Sequence, residues 1–125
     1  SGNLLFIGRQ NGVISAAELK FAFEESLSNI RLLGSECAFF MRTDASFKTE
    51  QALQIYSFFE TAIETAMDDL KALLINIRES DGRLIFNISA ESNKDLGGLM
   101  PLADSYEFSV GCSSFTLRFD KEGEV

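Results

Sequence analysis

The stretch ALLINIRESDGRLIFNISAE, residues 72–91, constrains the fold more than any other part of the chain. Two runs of alternating residues, Leu73 to Arg78 and Arg83 to Ser89, flank Asp81-Gly82, a dipeptide that favours a tight hairpin turn. Side chains two residues apart share a face of a strand, and the apolar sets are Leu73, Ile75 and Ile77, then Leu84, Phe86 and Ile88. One face of this hairpin is therefore expected to pack on helices, and the other is more polar.

A helix is predicted well before this hairpin. It begins with the capping box SAAE, in which Ser15 is the N-cap and Glu18 the third helical residue. Gly34 is placed to end it as a C-terminal cap. Apolar residues recur at helical spacing between these limits: Leu19, Phe23, Leu27, Ile30 and Leu33.

The remaining elements complete the predicted fold. The aromatic run Glu36 to Thr43 is interpreted as a strand, and a second helix with an apolar stripe is predicted from its cap Thr49 to Met67. An irregular segment, Glu91 to Ser105, precedes a second hairpin around Gly111. Helices come early and antiparallel strands late. This order predicts an α+β fold, a two-layer sandwich with helices packed on one face of a mixed sheet.

Length and charge limit the classes of function. The 125 residues suit one domain, which we assign to residues 15–125, after a segment 1–14 interpreted as the end of a preceding helix. A net charge of −8 disfavours nucleic acid and anionic membranes as partners. No apolar run approaches the ~20 residues of a membrane-spanning helix. Two cysteines, Cys37 and Cys112, indicate a reduced compartment rather than a disulfide framework.

The chain contains no histidine. This excludes a Ser-His or Cys-His catalytic pair and a His-based metal site. It also excludes a phosphoacceptor histidine within these residues. Any chemistry must come from carboxylates, lysines, hydroxyls and the backbone.

Three stretches match motifs of one known family. YSFFETAIETAM (56–67) is similar to an N-box helix, typically LVENAIKH. DGRLIFNIS (81–89) is similar to the strand before a first glycine box, and GCSSFTLRFDKEGE (111–124) is similar to a closing GGTxFTLxFPKGGE. From Leu19 to Glu124 the chain thus resembles the C-terminal ATPase-like domain of bacterial sensor histidine kinases, in the GHKL superfamily. The resemblance implies a two-layer α/β sandwich of the GHKL ATPase type.

The resemblance also implies a site for ATP and Mg²⁺, at positions that can be matched one by one. In the family the N-box Asn binds Mg²⁺, which prefers hard oxygen ligands. Glu60 matches the motif's Glu and is the candidate catalytic residue, while Thr61 stands at the Asn position. Glu64 stands where a basic residue is common. Alternatively, Glu60 and Glu64 are the solvated edge of an amphipathic helix.

The glycine boxes are altered in this chain. The Asp that accepts a hydrogen bond from adenine falls at Ala90, and glycines return only at Gly97 and Gly98, in a DLGG stretch that could be a remnant of the second box. The matching positions therefore predict a degenerate domain that binds ATP weakly or not at all. We therefore expect no metal site and no bound cofactor. If the site were competent, its cofactors would be ATP and Mg²⁺.

The predicted function is that of an ATPase-like domain of a sensor histidine kinase in two-component signalling. Its expected partners are the rest of a kinase chain or a response regulator, in the cytoplasm, with any membrane tether supplied by the parent protein. The alternative is a protein-interaction or dimerisation domain that keeps the fold without binding nucleotide. Its partner could then be a second copy of the chain, in a homodimer. An exposed Phe21 or Phe58 would mark its interface. A third option is an unrelated small-molecule-binding α+β domain.

Overall fold

The computed structural model describes residues 12–120. Two long helices and a five-stranded sheet make up most of this range. The elements follow in the order β1 (Val13–Ile14), α1 (Ala16–Leu32), β2 (Glu36–Arg42), β3 (Phe47–Lys48), α2 (Thr49–Ala66), a 3-10 helix (Met67–Asp69), β4 (Ala72–Ser80), β5 (Arg83–Glu91), a second 3-10 helix (Gly97–Leu102), β6 (Ser105–Ser109) and β7 (Cys112–Asp120).

The five-stranded sheet has the order β2-β4-β5-β7-β6 and is mixed. β2 pairs with β4 in parallel, and the other neighbours are antiparallel. A parallel pair needs a long crossover connection, which here contains α2. The predicted α+β fold, with helices on one face of a mixed sheet, is confirmed.

Both predicted hairpins form where turn residues allow them. Asp81 and Gly82 have φ angles of 54° and 77°, as a two-residue turn with positive φ at both positions requires. Gly111, with φ 78°, makes the turn between β6 and β7. The alternation in β4 and β5 is confirmed, because the apolar sets of both strands are buried: Leu73, Ile75, Ile77, Leu84, Phe86 and Ile88.

Helix α1 begins at the predicted capping box. The Glu18 amide donates to Ser15 Oγ at 3.1 Å, and the Ser15 amide donates to Glu18 Oε1 at 3.0 Å. Gly34 follows the helix with φ 104°, a left-handed conformation that suits glycine. In α2, Thr49 is the first helical residue rather than the cap, and the preceding residue, Lys48, occupies the cap position.

Phe23 on α1 is the centre of an aromatic cluster that joins both helices to the sheet. Its ring centroid lies 5.3 Å from that of Phe39 on β2 and 6.1 Å from that of Phe86 on β5. Tyr56 and Phe59 on α2 lie at 5.2 and 4.9 Å. Because Phe23 is fully buried, one side chain fixes the spacing of three elements.

The N-terminal part of the described chain pairs with the domain. Val13 and Ile14 lie antiparallel to Lys48 and Phe47 in a separate two-stranded sheet. Of the segment 1–14, which we interpreted as the end of a preceding helix, residues 1–11 lie outside the described residues. No helix within residues 12–120 is long and apolar enough to cross a membrane.

The capping box predicts a measurable loss of stability. Ser15→Ala removes the oxygen that accepts from the Glu18 amide, and we expect the free energy of unfolding to fall by about 1 kcal/mol. Ser28→Ala, at an exposed position in the middle of α1, is the control and should stay within about 0.5 kcal/mol. Urea denaturation followed by circular dichroism measures both. Equal losses in the two variants would contradict the role of the cap.

Candidate functional site

Thr61, at the position of the family's metal ligand, opens onto a small cavity between α2, the second 3-10 helix and β7. The cavity has a volume of about 170 Å³, and its other lining residues are Gln54, Ser57, Phe58, Leu102 and Leu117. Thr61 Oγ1 donates to the Ser57 carbonyl at 2.9 Å, so its proton is used within the helix. No carboxylate of the described residues lines this cavity. A hard cation, which prefers oxygen ligands such as carboxylates, would meet the hydroxyls of Ser57 and Thr61, the amide of Gln54 and otherwise carbon.

Glu60 and Glu64 lie on another side of α2. Both line a groove of about 230 Å³ between the two helices, with Ser26 on α1 and Tyr56 on α2 among its walls. The hydroxyls of Ser26 and Tyr56 are hydrogen-bonded to each other. Successive residues point about 100° apart around a helix, so Glu60 and Thr61 do not share the Thr61 cavity.

Ala90 is buried in the middle of the sheet. It is 3% exposed and pairs with Leu73 on one side and Ser113 on the other. A methyl group cannot accept the hydrogen bond that an adenine amino group would donate. The position that matches the family's Asp thus contributes to the core.

Gly97 and Gly98 belong to the second 3-10 helix. The Gly97 amide donates to Asp95 Oδ1 at 2.9 Å, so this backbone donor already has an anionic acceptor. A Cβ at Gly97 would lie 3.1 Å from the same oxygen, whereas a Cβ at Gly98 would meet nothing within 4 Å. The pair forms a closed turn rather than an open loop around a ligand.

Apolar side chains pack around the Thr61 cavity, between α2, the sheet and the segment 92–104. Phe58 on α2 lies edge-on to Phe115, with centroids 5.3 Å apart, and Phe115 stacks on Tyr106 at 4.7 Å. Leu96 and Leu99 are buried in the same core. Sequence reasoning missed the part played by these leucines, although their spacing of three residues is a helical signal within a segment rich in turn residues.

Asp69 holds the start of the segment 92–104. Its Oδ2 accepts from the Asn93 amide and from the Ser92 hydroxyl, and its Oδ1 lies 3.5 Å from Lys71 Nζ. The Asn93 hydrogen bond, helped by the Lys71 charge, holds the pKa of Asp69 below its ordinary value of 3.8. Of the two adjacent carboxylates after α2, Asp68 and Asp69, the second thus anchors the segment 92–104.

The described residues offer little other chemistry. No group of three or more Cys, Asp or Glu side chains within residues 12–120 is arranged to hold a metal ion. Burial raises the pKa of the Cys37 thiol, so this thiol stays protonated at neutral pH and is a poor nucleophile. Both cysteines are free.

Solved structures with a similar architecture include histidine kinases. The chain superposes on the Acinetobacter baumannii histidine kinase AdeS with a TM-score of 0.56 and 14% identity, over 98% of this chain and 75% of that one. It superposes on the nucleotide-free catalytic domain of the histidine kinase ThkA with a TM-score of 0.60 and 10% identity, over 87% of this chain and 97% of that one. It superposes on a bacterial phosphotransferase with a TM-score of 0.67 and 10% identity, over 92% of this chain and 69% of that one. No known protein family and no curated protein matches the sequence.

The chain therefore has the fold of histidine kinase catalytic domains. This confirms the fold that the sequence resemblance implied. The positions matched in the sequence are not gathered into one cleft: Thr61 lines the cavity beside α2, Glu60 and Glu64 face α1, and Ala90 is in the core.

The anchor at Asp69 predicts a pH-dependent loss of stability. Because its pKa is lowered in the folded state, its contribution is present above the ordinary pKa of a carboxyl and is lost as the pH falls through the folded value. Asp69→Asn should unfold at lower urea concentration at pH 7, and the difference from wild type should shrink below about pH 4. Asp44→Asn is the control, because Asp44 is exposed and lies far from this segment along the chain. A difference that persists at acidic pH would contradict this account.

Proposed function

We propose that this chain is an ATPase-like domain of a sensor histidine kinase whose nucleotide binding is lost. The fold supports the first half of the proposal. The apolar packing between α2, the sheet and the segment 92–104, which leaves a cavity of only about 170 Å³ at Thr61, is the observation that carries the second half. Such a domain would act in signalling through its position and contacts within a kinase chain, with a response regulator or the rest of that chain as partner.

The size and chemistry of the cavity support the loss of nucleotide binding. Small-molecule and cofactor sites usually have volumes of about 300–1,000 Å³, whereas the cavity at Thr61 has about 170 Å³. Glu64 adds a negative charge to α2 where the family commonly has a basic residue. The Ala90 methyl offers no acceptor for adenine. ATP and Mg²⁺ thus meet three separate mismatches.

Titration with MgATP tests the proposal. We expect no saturable heat in calorimetry up to about 1 mM nucleotide and no rise in melting temperature. A site with a dissociation constant of about 10 µM would stabilise the fold by about 2.7 kcal/mol at 1 mM ATP, which would raise the melting temperature by several degrees. Binding in the micromolar range would contradict the proposal.

A variant of Thr61 tests whether only the metal ligand is missing or the whole ATP site is lost. Thr61→Asn restores the amide of the family motif, yet we expect it to show no ATP-dependent rise in melting temperature, because the core-filling residues and Ala90 remain. Thr65→Asn, four residues along the same helix and exposed, is the matched control. A rise in Thr61→Asn alone would show that only the metal ligand had been lost, against the proposal.

A protein-interaction domain is the second candidate function. Phe21 and Leu32 on α1 are 59% and 83% exposed. Residues eleven apart lie on nearly the same helix face, so both belong to one exposed stripe of α1. Phe58, the other residue that could have marked an interface, is buried against Phe115. The stripe favours docking of α1 against another segment of a longer chain or a partner protein.

A further inference from the structure

The sheet has an open outer face, defined here as the face turned away from α1 and α2. Four of the chain's eleven basic residues gather at one end of it. Arg42 pairs with Arg78, Arg78 with Ile85, and Ile85 with Arg118, so these residues form one row across four strands. Arg83 lies two residues from Ile85 on the same face. We call this the arginine end.

The charges of the arginine end are only partly offset by carboxylates of residues 12–120: Asp120 lies opposite Arg83 on the same face, and Asp104 Oδ2 accepts from the Arg118 amide at 2.7 Å. Among residues 12–120, none of the four arginines forms an ion pair with a carboxylate. Arg118 donates to the Ser105 hydroxyl, and Arg42 lies 5.0 Å above the Phe40 ring. Like charges directly opposed on neighbouring strands, as in Arg42 and Arg78, destabilise a sheet. The remaining excess of positive charge favours contact with carboxylates of another molecule.

The other end of the outer face is acidic and hollow. Glu36 and Glu91 lie in one row with Ala72 and Cys112. Both carboxylates edge a depression of about 410 Å³. Small and apolar side chains of the same face line it: Ala38, Leu74, Ser89 and Cys112. We call this the glutamate end.

Apolar side chains lie between the two ends. Phe40 and Leu74, on adjacent strands, are 43% and 41% exposed. The rows of the two charged ends are six residues apart, which is about 20 Å along a strand. The outer face is therefore acidic at one end and basic at the other, and between the ends Phe40 and Leu74 lie beside a polar row that contains Asn76, Asn87 and Thr116.

We propose that this face is the interface of a homodimer. A two-fold axis that lies in the interface and crosses the strands turns the arginine end of one copy over the glutamate end of the other. Arg42 then lies opposite Glu36 of the partner subunit, and Arg78 and Arg118 lie on either side of the partner's Glu91. Phe40 faces the depression. The same patch is used by both copies, as a two-fold interface requires.

A second copy fits this face better than other occupants. An acidic protein would pair with the arginine end but would oppose the carboxylates of Glu36 and Glu91. A basic protein would have the reverse mismatch. This chain offers both charges at the required separation, and arginine–carboxylate pairs favour bidentate geometry. The inference goes beyond the proposed loss of nucleotide binding and does not rest on it.

The available area is sufficient for a weak dimer. Five strands about 4.8 Å apart and seven residues long give a face of roughly 550 Å² in projection. Side-chain relief raises the accessible area towards the ~800 Å² per partner of a standard interface. Two sheets packed in this way lie about 10 Å apart with their strands within about 30°.

Sedimentation velocity over about 10 µM to 1 mM chain, at constant ionic strength of about 0.15 M, tests the proposal. The wild type should shift from monomer to dimer with concentration. Arg78→Glu and Glu91→Arg should each raise the dimer dissociation constant at least tenfold. A charge reversal changes the net charge by two, so Glu91→Arg takes it from −8 to −6. Simple net repulsion would therefore predict stronger association for this variant.

Mixing the two variants gives the sharpest readout. In a heterodimer, the carboxylate introduced at position 78 of one copy would face the guanidinium introduced at position 91 of the other, and the native pairs would persist on the other half. We therefore expect the mixture to dimerise when neither variant does alone. Lys20→Glu and Glu25→Arg carry the same charge changes on exposed positions of α1 and should leave the dimer unchanged. A monomeric wild type at 1 mM, or no rescue on mixing, would overturn the proposal.

Discussion

The packing of Phe23 against four other rings is the interaction on which the rest of the structure depends. It contacts Phe39 and Phe86 in the sheet and Tyr56 and Phe59 on α2. Deep aromatic burial of this kind contributes strongly to core stability because of the large apolar area removed from water. It also sets how close α2 lies to the sheet. The Thr61 cavity and the interhelical groove at Glu60 are both consequences of that position.

The same close packing extends to the apolar contacts beside α2. In this chain the segment 92–104 is short and is pulled inward by Leu96 and Leu99, while Asp69 fixes its first residues through the Asn93 amide. Phe58, Phe115 and Tyr106 then occupy the volume beside α2. A scaffold that is stabilised by its own side chains needs no ligand to complete its core, which is why we propose a role in signalling through contacts.

The helices cover one face of the sheet, and the outer face carries the charged ends described above. Its charges are sorted by the hydrogen-bond register of the strands, because Arg42, Arg78 and Arg118 fall into one row and Glu36 and Glu91 into another. The order along the face is antisymmetric, and an antisymmetric face is complementary to itself under a two-fold rotation. A dimer through this face would leave α1, with its exposed Phe21, free for a different contact.

The sequence by itself determined the local elements: the capping box at Ser15, the turn at Asp81-Gly82 and the alternation of β4 rest on contacts within a few residues. The resemblance in three motifs also predicted the overall fold. Only the tertiary structure decided which matched positions meet. Helix periodicity already separates Glu60 from Thr61, but only packing brings Thr61 next to Leu102 and Leu117, and Arg42 meets Arg78 only through a parallel pairing across the whole of α2. Those placements depend on how elements distant in sequence pack, which no local pattern records.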